Sequence, residues 1–315
     1  GHDPHEHEMA VLIGWAGTGK TFLVTRLLAE LAGERAIAVA APTNKAVRVL
    51  KDKLVEAGVL VASAGEDEDG WKRGKVKPGK GCTLKSIHSF LGLQMREQDN
   101  GKQEASKERD SSISDYAVLV VDEASMLSDD LFARVVQERG SCRVLFVGDP
   151  AQLPPVNGHG ALSPVFDRVT LKVRLAEVVR QAADNPIIRL SMQVRALIEA
   201  DVKADPLTLL QALPPVESGP KAALLAGSVD TLVSLWLAEH EVDPGQDTRI
   251  IAYTNQRVLD YNRRIHRALY GETSDRVFMP GEPVIVHTQG KGLKECGGDV
   301  YAEERVITSE ELTVL

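Results

Sequence analysis

Four short hydrophobic runs recur through the first half of the chain, and each ends in polar or glycine-rich sequence. The runs cover residues 9–13, 36–40, 117–121 and 143–147. Because their apolar residues do not alternate with polar ones, they predict strands buried on both faces, as in a parallel sheet. In such a sheet the polar ends of the four strands meet at one edge.

Helical patterns lie between several of these runs. Leucines at helical spacing predict one helix over 21–32, ended by Gly33, and another over 44–57, ended by Gly58. Ser128 is placed to cap a further helix that begins at Asp129. This alternation predicts a doubly wound α/β domain, whose ligands bind beyond the carboxyl ends of the strands.

The alternation stops between residues 61 and 115. An acidic run over 66–69 precedes a basic run that extends from Lys72 to Lys85. Two interpretations of the basic run stay open: it contacts nucleic-acid phosphates, or it is a solvated loop neutralised by the acidic run. The pair Asn100-Gly101 then predicts a projecting β-hairpin with a two-residue turn. Since an isolated hairpin is marginally stable, we expect it to lean on a neighbour or a ligand.

A second, smaller α/β unit is predicted from about residue 180 onwards. Asn185-Pro186 opens an amphipathic helix, and a second helix is predicted over 228–240. Residues 249–253 then predict a strand, after which Asn255 caps a helix that runs to Tyr270.

Composition limits the class of protein without naming a function. The 315 residues fit about two domains, and a formal net charge of −8 argues against a histone-like protein while leaving room for a local basic groove. The three cysteines are far apart and contain no C-x-x-C, which favours a reducing, cytoplasmic compartment. No apolar run is long enough to cross a membrane. Three histidines near the N-terminus could ligate a metal or belong to a polar tail; we favour the tail.

The clearest chemical signal is a phosphate-binding loop between the first strand and the first helix. Residues 14–21 read GWAGTGKT and satisfy the pattern G-x-x-x-x-G-K-[ST]. Backbone N–H groups and the helix N-terminus attract phosphate, Lys20 reaches the β- and γ-phosphates, and Thr21 holds Mg²⁺. The predicted nucleotide-binding residues are Gly14, Ala16, Gly17, Thr18, Gly19, Lys20 and Thr21.

Two further motifs end the third and fourth predicted strands. Asp122 is placed to ligate Mg²⁺, and Glu123 to orient and deprotonate the attacking water. In the segment GDPAQLPPV, Gln152 is placed to sense the γ-phosphate. A generic P-loop enzyme does not need the segment GDPAQLPPV, so its presence narrows the class of P-loop enzyme that the sequence indicates.

The full motif set resembles one helicase family. The sequence contains GWAGTGKT, APTNKAV, SIHSFLGL, VVDEASM, GDPAQLPPV, EVVRQ, RIIAYTNQRVLDYNRRI and FMPGEPVIV. Over residues 9–287 it resembles a superfamily-1 helicase of the RecD/Dda-like branch, whose members translocate 5′ to 3′ along single-stranded DNA. The resemblance implies a RecA-like motor domain over 1–178 with an insertion at 61–115, a partial second RecA-like domain over 179–288, and the start of a small β-barrel over 289–315.

The resemblance also implies roles for individual residues. Arg180 would be an arginine finger, although a surface salt bridge is the ordinary fate of an arginine. For His88, the alternative to a DNA contact is a position in the hydrophobic core. For Asn255, the alternative is the cap of a helix. The hairpin would split the duplex as a steric wedge, since its tip carries no aromatic residue. The implied DNA contacts are Pro42, Thr43, Asn44, Lys45, Ser86, His88, Asn100, Thr254 and Asn255.

The expected function is that of an ATP- and Mg²⁺-dependent DNA helicase, acting as a cytoplasmic monomer on single-stranded DNA and on single-strand/duplex junctions. The chain lacks the family's upstream glutamine motif and its H-K-x-Q-G-like and T-R-A-like segments. We therefore expect an N-terminal portion of such a helicase, one that unwinds poorly alone. The alternatives are a nucleotide-dependent DNA-binding or loading subunit that never translocates, and an RNA helicase.

Overall fold

The computed structural model describes the chain in two compact units, Gly1–Ala212 and Leu213–Leu315. The described residues are 8–15, 17–60, 81–97, 103–155, 161–175, 186–199, 228–242, 248–252, 254–271, 278–280, 282–285, 290–295, 301–306 and 311–313. Ala16, Asn100 and Arg180 lie outside them.

The first unit alternates strands with helices. Its strands are β1 (Met9–Gly14), β2 (Ala36–Ala41), β3 (Gly81–Ser86), β4 (Leu93–Glu97), β5 (Gln103–Lys107), β6 (Val118–Val121), β7 (Arg143–Gly148) and β8 (Leu171–Leu175). Its helices are α1 (Lys20–Ala32), α2 (Asn44–Glu56), α3 (Ile87–Phe90), α4 (Asp129–Glu138), α5 (Val165–Arg168) and α6 (Pro186–Glu199).

A parallel sheet forms the centre of this unit and confirms the predicted fold class. The strand order is β3-β2-β6-β7-β1-β8, and every pairing is parallel. The four predicted strands are its four inner members, and their carboxyl ends share one edge. The outer strands β3 and β8 were not predicted. β3 includes Lys85, so the end of the basic run belongs to the sheet and not to a loop.

The core lies on both faces of the sheet, as the unbroken hydrophobic runs indicate. Along β1, Val11 and Ile13 belong to one buried cluster and Leu12 to the other, because successive side chains of a strand point to opposite faces. Phe90 and Phe146 fill the first cluster, in which both are fully buried. The helices α1 and α2 cover the second cluster with Leu28, Leu50 and Leu54.

Side-chain caps fix where several helices begin. Thr43 accepts a hydrogen bond from the N–H of Ala46 and starts α2, while Ser128 accepts one from Leu131 and starts α4, as predicted. Glu8, assigned to the polar N-terminal tail from sequence, instead pairs with Arg139, with 2.6 Å between Oε2 and Nη1.

The predicted hairpin is present as the antiparallel pair β4–β5, and its base rests on the core. Leu93 is buried in the first cluster and Ala105 packs against it. The register pairs Glu97 with Gln103. A two-residue turn at Asn100-Gly101 would pair Glu97 with Glu104 instead, so the described register does not match the predicted turn, whose residues lie outside the described part of the chain.

Gly92, directly before β4, is required by its surroundings. Its φ of 69° lies in the left-handed region, and a Cβ at this position would overlap the carbonyl oxygen of Arg109. That carbonyl belongs to the chain leaving the hairpin, so the close approach closes the hairpin base.

The second unit contains the helices α7 (Val229–Val242) and α8 (Asn255–Tyr270) and the strands β9 (Pro283–Ile285), β10 (Gly290–Glu295), β11 (Tyr301–Val306) and β12 (Glu311–Thr313). β10 pairs with β11, and β9 with β12, both antiparallel. The strand predicted over 249–253 does not form at the described residues 248–252. Trp236 donates its indole N–H to the carbonyl of Thr248 there, and this contact fixes the segment beside α7.

The division of the chain differs from the predicted boundary at residue 178. The first unit extends to Ala212 and includes α6, which an ion pair between Arg195 and Asp149 joins to the loop after β7. Assignment of the second unit as a partial RecA-like domain with the start of a barrel remains a prediction.

Neither a disulfide nor a membrane-spanning helix occurs in the part of the chain that the structure describes. Cys82 and Cys142 are free thiols, and burial raises the pKa of each to about 11. Among these residues, no helix combines the length and the apolar character needed to span a bilayer.

Replacing Gly92 by alanine tests the hairpin base, and Gly58 offers a matched control. Gly58 has a φ of 70°, but nothing lies within 4 Å of its Cβ position. G58A should lower the free energy of unfolding by about 1 kcal/mol, the penalty of the left-handed conformation alone. G92A should lower it by more than twice that, because the Arg109 backbone must also move. Urea denaturation measures both; equal losses would show that the base accommodates a methyl group.

Candidate nucleotide-binding site

A cavity of about 710 Å³ opens at the carboxyl edge of the parallel sheet. It is lined from the loop after β1, from α2 and from the turns after β6 and β7. The structure therefore brings the separate motifs together where a doubly wound sheet binds its ligands. The predicted residues that line it are Gly17, Gly19, Lys20, Thr21, Thr43, Lys45, Asp122, Glu123 and Gln152.

The loop after β1 curls around the Lys20 side chain. Lys20 Nζ donates hydrogen bonds to the carbonyl oxygens of Gly14 at 2.6 Å and Trp15 at 2.9 Å, while the Thr18 hydroxyl donates to the same Trp15 oxygen. A Cβ at Gly14 would stand 2.6 Å from Thr18 Oγ1, so this position requires glycine. The ammonium group is thus held at the mouth of the loop, where the P-loop pattern places a phosphate chain.

Burial and charge act on Lys20 in opposite directions. Burial lowers its pKa, while the carboxylates of Asp149, Asp122 and Glu123 raise it. The three carboxylates come from the ends of β6 and β7, so the positive charge of Lys20 offsets negative charge gathered at the sheet edge.

Asp122 and Glu123 follow β6 in a strained turn. Asp122 donates its backbone N–H to Ala40 O at 2.8 Å, and its Oδ1 accepts the N–H of Glu123 at 3.0 Å. Glu123 has a φ of 53°, the one positive value at a non-glycine residue in the described part of the chain. Such strain clusters at functional sites, where surrounding contacts hold it.

The pKa values of both carboxyls are raised, in each case chiefly by burial. The neighbouring negative charge of Asp122 raises the pKa of Glu123 further. A carboxylate with a raised pKa is a better proton acceptor, which suits Glu123 to activate a water. The Thr21 hydroxyl and the Asp122 carboxylate line the same cavity and are the hard oxygen donors that Mg²⁺ prefers.

Gln152 lies in a loop organised by Asp149. The backbone N–H of Gln152 donates to Asp149 O at 3.0 Å, and the N–H of Ala151 donates to Asp149 Oδ1 at 3.0 Å. Asp149 is completely buried and pairs with Arg195 of α6. Sequence reasoning missed both residues, although Arg195 falls seven positions after Ile188 on the apolar stripe of α6, where a charge is unexpected.

The predicted DNA-contact residues of the first unit lie at the ends of β2 and β3. Thr43 and Lys45 reach the nucleotide cavity, and the Thr43 hydroxyl also caps α2. The Ser86 hydroxyl caps α3 by accepting the N–H of Ser89. His88 is half-buried, and burial lowers its pKa, which favours the neutral imidazole. Pro42 and Asn44 are partly buried beside them.

Two predicted contacts and several arginines belong to the second unit. Thr254 caps α8 by accepting the N–H of Arg257, so the capping role considered for Asn255 falls to its neighbour. Thr254, Arg257 and Arg263 line a hollow at the start of α8. Arg264 is instead paired with Asp230 and Asp260.

Metal ligation at other places has no support from the described residues. Among them, no group of three or more His, Cys, Asp or Glu side chains could hold an ion. The three N-terminal histidines, His2, His5 and His7, lie outside the described part of the chain.

Comparison with known proteins then places the chain. A family model described as "AAA domain" matches residues 4–204, more than half of the sequence. The chain belongs to the AAA domain family. Its similarity to RecD proteins supports the resemblance carried by its motifs.

The matched relatives are longer proteins. The RecBCD enzyme subunit RecD of Mycobacterium tuberculosis is 30% identical over 324 residues, covering 92% of this chain and 52% of that protein. The ATP-dependent RecD2 DNA helicase of Deinococcus radiodurans is 32% identical over 186 residues, covering 58% and 21%. The chain thus spans about half the length of the RecD subunit. A solved structure of Bacteroides Pif1 bound to ssDNA has 16% identity and a TM-score of 0.43, covering 98% of this chain and 70% of that one.

The strained turn at Glu123 gives a stability prediction. Glu123→Gly and Glu123→Ala both remove the carboxylate, but only glycine adopts a φ of 53° without strain. The glycine variant should therefore unfold with a free energy about 1 kcal/mol higher than the alanine variant.

Glu30, exposed on α1, is the matched control position for this comparison. There the order should reverse, with alanine more stable than glycine by about 1 kcal/mol, because the backbone is helical. Thermal or urea unfolding of the four variants measures both differences. The same order at both positions would contradict a strained Glu123.

Proposed function

We propose that this chain is an ATP-hydrolysing motor of a DNA helicase that moves 5′ to 3′ on single-stranded DNA. The observation that carries the proposal is the convergence of Lys20, Thr21, Asp122, Glu123 and Gln152 on one cavity. A lysine, a hydroxyl with a carboxylate, a base and a polar sensor are the groups that P-loop phosphoryl transfer uses. The name of the RecD2 relative, an ATP-dependent DNA helicase, supports the choice of DNA.

Each residue has a role in hydrolysis that follows from its position. Lys20 exchanges its contacts with Gly14 and Trp15 for phosphate oxygens of ATP. Thr21 and Asp122 are the residues that would hold Mg²⁺, which supplies charge neutralisation when bound. Glu123 orients a water towards the γ-phosphate and accepts its proton. Gln152 contacts the γ-phosphate. Arg180 lies outside the described residues, and the motif resemblance implies that it acts as an arginine finger.

DNA binding would use the ends of β2 and β3 and the start of α8. Thr43 and Lys45 border both α2 and the nucleotide cavity, which gives a short route between ATP and a DNA strand held by Pro42, Thr43 and Asn44. In the second unit, Thr254 lines a hollow together with Arg257 and Arg263, whose side chains can contact phosphates, and Asn255 is the next residue along the chain. The β4–β5 hairpin would act as a wedge at the junction of single and double strands.

A non-translocating subunit is the second candidate. RecD relatives are named as subunits of the RecBCD enzyme, so this chain could also work within a complex. The site favours the motor, because a protein that only binds nucleotide does not need a base such as Glu123. A soluble protein of the cytoplasm that acts as a monomer is the simplest assignment.

Replacing Glu123 by glutamine tests the hydrolytic assignment. E123Q keeps the size of the side chain but removes the base, so ATP turnover should fall by about 10²- to 10⁴-fold while nucleotide affinity stays within a few-fold. Steady-state turnover and equilibrium titration with a fluorescent ATP analogue measure the two effects. E34Q, at an exposed position near the end of α1, is the control and should change neither. Turnover retained in E123Q would overturn this role.

Deleting residues 96–106 tests the hairpin and separates the two candidates. The deletion should abolish unwinding of a 5′-tailed duplex and spare ATP turnover stimulated by single-stranded DNA, because the hairpin is remote in sequence from the ATP motifs. A 3′-tailed duplex controls for polarity.

Unwinding that survives the deletion would contradict the wedge role of the hairpin. Wild-type ATP turnover that single-stranded DNA does not stimulate would favour the non-translocating subunit. Stronger stimulation by RNA than by DNA would favour the RNA helicase.

A further inference from the structure

A buried arginine of α6 joins two parts of the nucleotide site. Arg195 is 8% exposed, and its Nη2 lies 2.8 Å from Oδ2 of the fully buried Asp149. Its guanidinium also stands over the Trp15 ring, 4.9 Å from the centroid. One side chain therefore contacts the loop after β1 and the loop after β7 from a helix that contributes to neither.

Asp149 shapes the loop that carries Gln152. One carboxylate oxygen accepts the N–H of Ala151, the other accepts Arg195, and the backbone carbonyl accepts the N–H of Gln152. Movement of the Arg195 guanidinium would consequently move the anchor on which the first turn of this loop is built.

Trp15 organises the P-loop in the way that Asp149 organises the Gln152 loop. Its carbonyl oxygen accepts hydrogen bonds from Lys20 Nζ and from the Thr18 hydroxyl, while its ring packs against Arg195. A planar guanidinium can stack on an aromatic face and donate to a carboxylate at once, which a lysine ammonium cannot do with the same geometry.

Stability alone is a poor explanation for the ion pair between Arg195 and Asp149. Buried ion pairs contribute little net stability, because the loss of hydration offsets the attraction between the charges. Here the contact uses one nitrogen, and Arg195 Nε is buried with no hydrogen-bond partner among the described residues. An unpaired buried donor is unusual, so the position of Arg195 calls for an explanation beyond its ion pair.

We propose that Arg195 is a positioning residue of the nucleotide site, which holds the Gln152 loop in register with the P-loop and joins both to α6. The positional part stands on the contacts alone. Its consequence for recognition of the γ-phosphate rests on the function proposed above. ADP, which lacks that phosphate, should bind independently of the Gln152 loop, whereas an ATP analogue should depend on it.

The first experiment measures the position of the loop without any nucleotide. In R195M, amide hydrogen exchange should quicken in the peptide that covers 149–155, because its hydrogen bonds to Asp149 lose their anchor, and should stay unchanged in β4 and β5. R195M leaves the Asp149 charge buried, so the double variant D149N/R195M keeps the test open if R195M fails to fold. R168M is the matched control, since Arg168 makes an exposed ion pair with Asp129, also at 2.8 Å.

The second experiment measures the affinities of ADP and of the non-hydrolysable analogue AMP-PNP by calorimetry. In R195M, and in the double variant, the preference for AMP-PNP over ADP should fall on the order of tenfold. This is the change expected when the one charge-assisted hydrogen bond between Gln152 and the γ-phosphate is lost. The affinity for ADP should stay within about twofold of the wild type, and R195K should be intermediate. R168M should show the wild-type preference.

The outcomes separate the two parts of the inference. Unchanged exchange over 149–155 in folded R195M or in the double variant would overturn the positioning role. Quickened exchange with equal weakening of ADP and AMP-PNP, or with neither changed, would show that Arg195 is merely structural. A wild-type protein that binds neither nucleotide would refute the proposed function, and hydrogen exchange would still decide whether Arg195 holds the loop.

Discussion

The Lys20 ammonium lies among the carboxylates of Asp122, Glu123 and Asp149 at the carboxyl edge of the sheet, and this balance of buried charge governs the site. Burial works against the charged forms of Lys20, Asp122 and Glu123, because it lowers the pKa of the lysine and raises the pKa of the two carboxyls. The opposite charges act against this effect, since the carboxylates raise the pKa of Lys20 and Lys20 lowers the pKa of Asp122 and of Glu123. Removing Lys20 would take away a positive charge that lowers the pKa of both Asp122 and Glu123, whereas Asp149 would keep its ion pair with Arg195.

Only a parallel arrangement of strands brings these groups to one place. Lys20 follows β1, the Asp122–Glu123 turn follows β6, and Asp149 follows β7, which stands between β6 and β1 in the sheet. Gly148 lets the last two turns pack, since a Cβ there would stand 3.2 Å from the backbone nitrogens of Ala124 and Ser125. A larger side chain would separate the Glu123 turn from the loop that carries Gln152.

The inner strands and the ATP motifs could be predicted because their signals are local. An unbroken apolar run indicates a strand buried on both faces, and the P-loop pattern determines a backbone shape within eight residues. The edge strand β8 has no unbroken apolar run. Its Leu171 and Val173 are about half exposed, so this strand is not buried on both faces. β3 was hidden because it ends a basic run. The ammonium nitrogen of its Lys85 lies over the Phe90 ring, 5.7 Å from the centroid, and the sequence does not reveal this contact.

Helix caps and strand register were harder to predict. A cap depends on which of two adjacent residues adopts an extended backbone. Thr254 and Asn255 are both good caps, and only the φ of −113° at Thr254 shows that the helix begins after it. Likewise, Asn100-Gly101 indicates a turn but not the pairing of Glu97 with Gln103, which the packing of Leu93 and Ala105 on the core also constrains.

The helix α6 shows why a boundary drawn from motifs can differ from one drawn from contacts. Its partner Asp149 lies 46 residues earlier in the chain, so no periodicity could reveal the pair. A buried carboxylate needs a cation, and Arg195 supplies it only if α6 packs on the first unit. Displacing α6 would therefore break the ion pair between Arg195 and Asp149, the contact through which we propose that α6 holds the Gln152 loop.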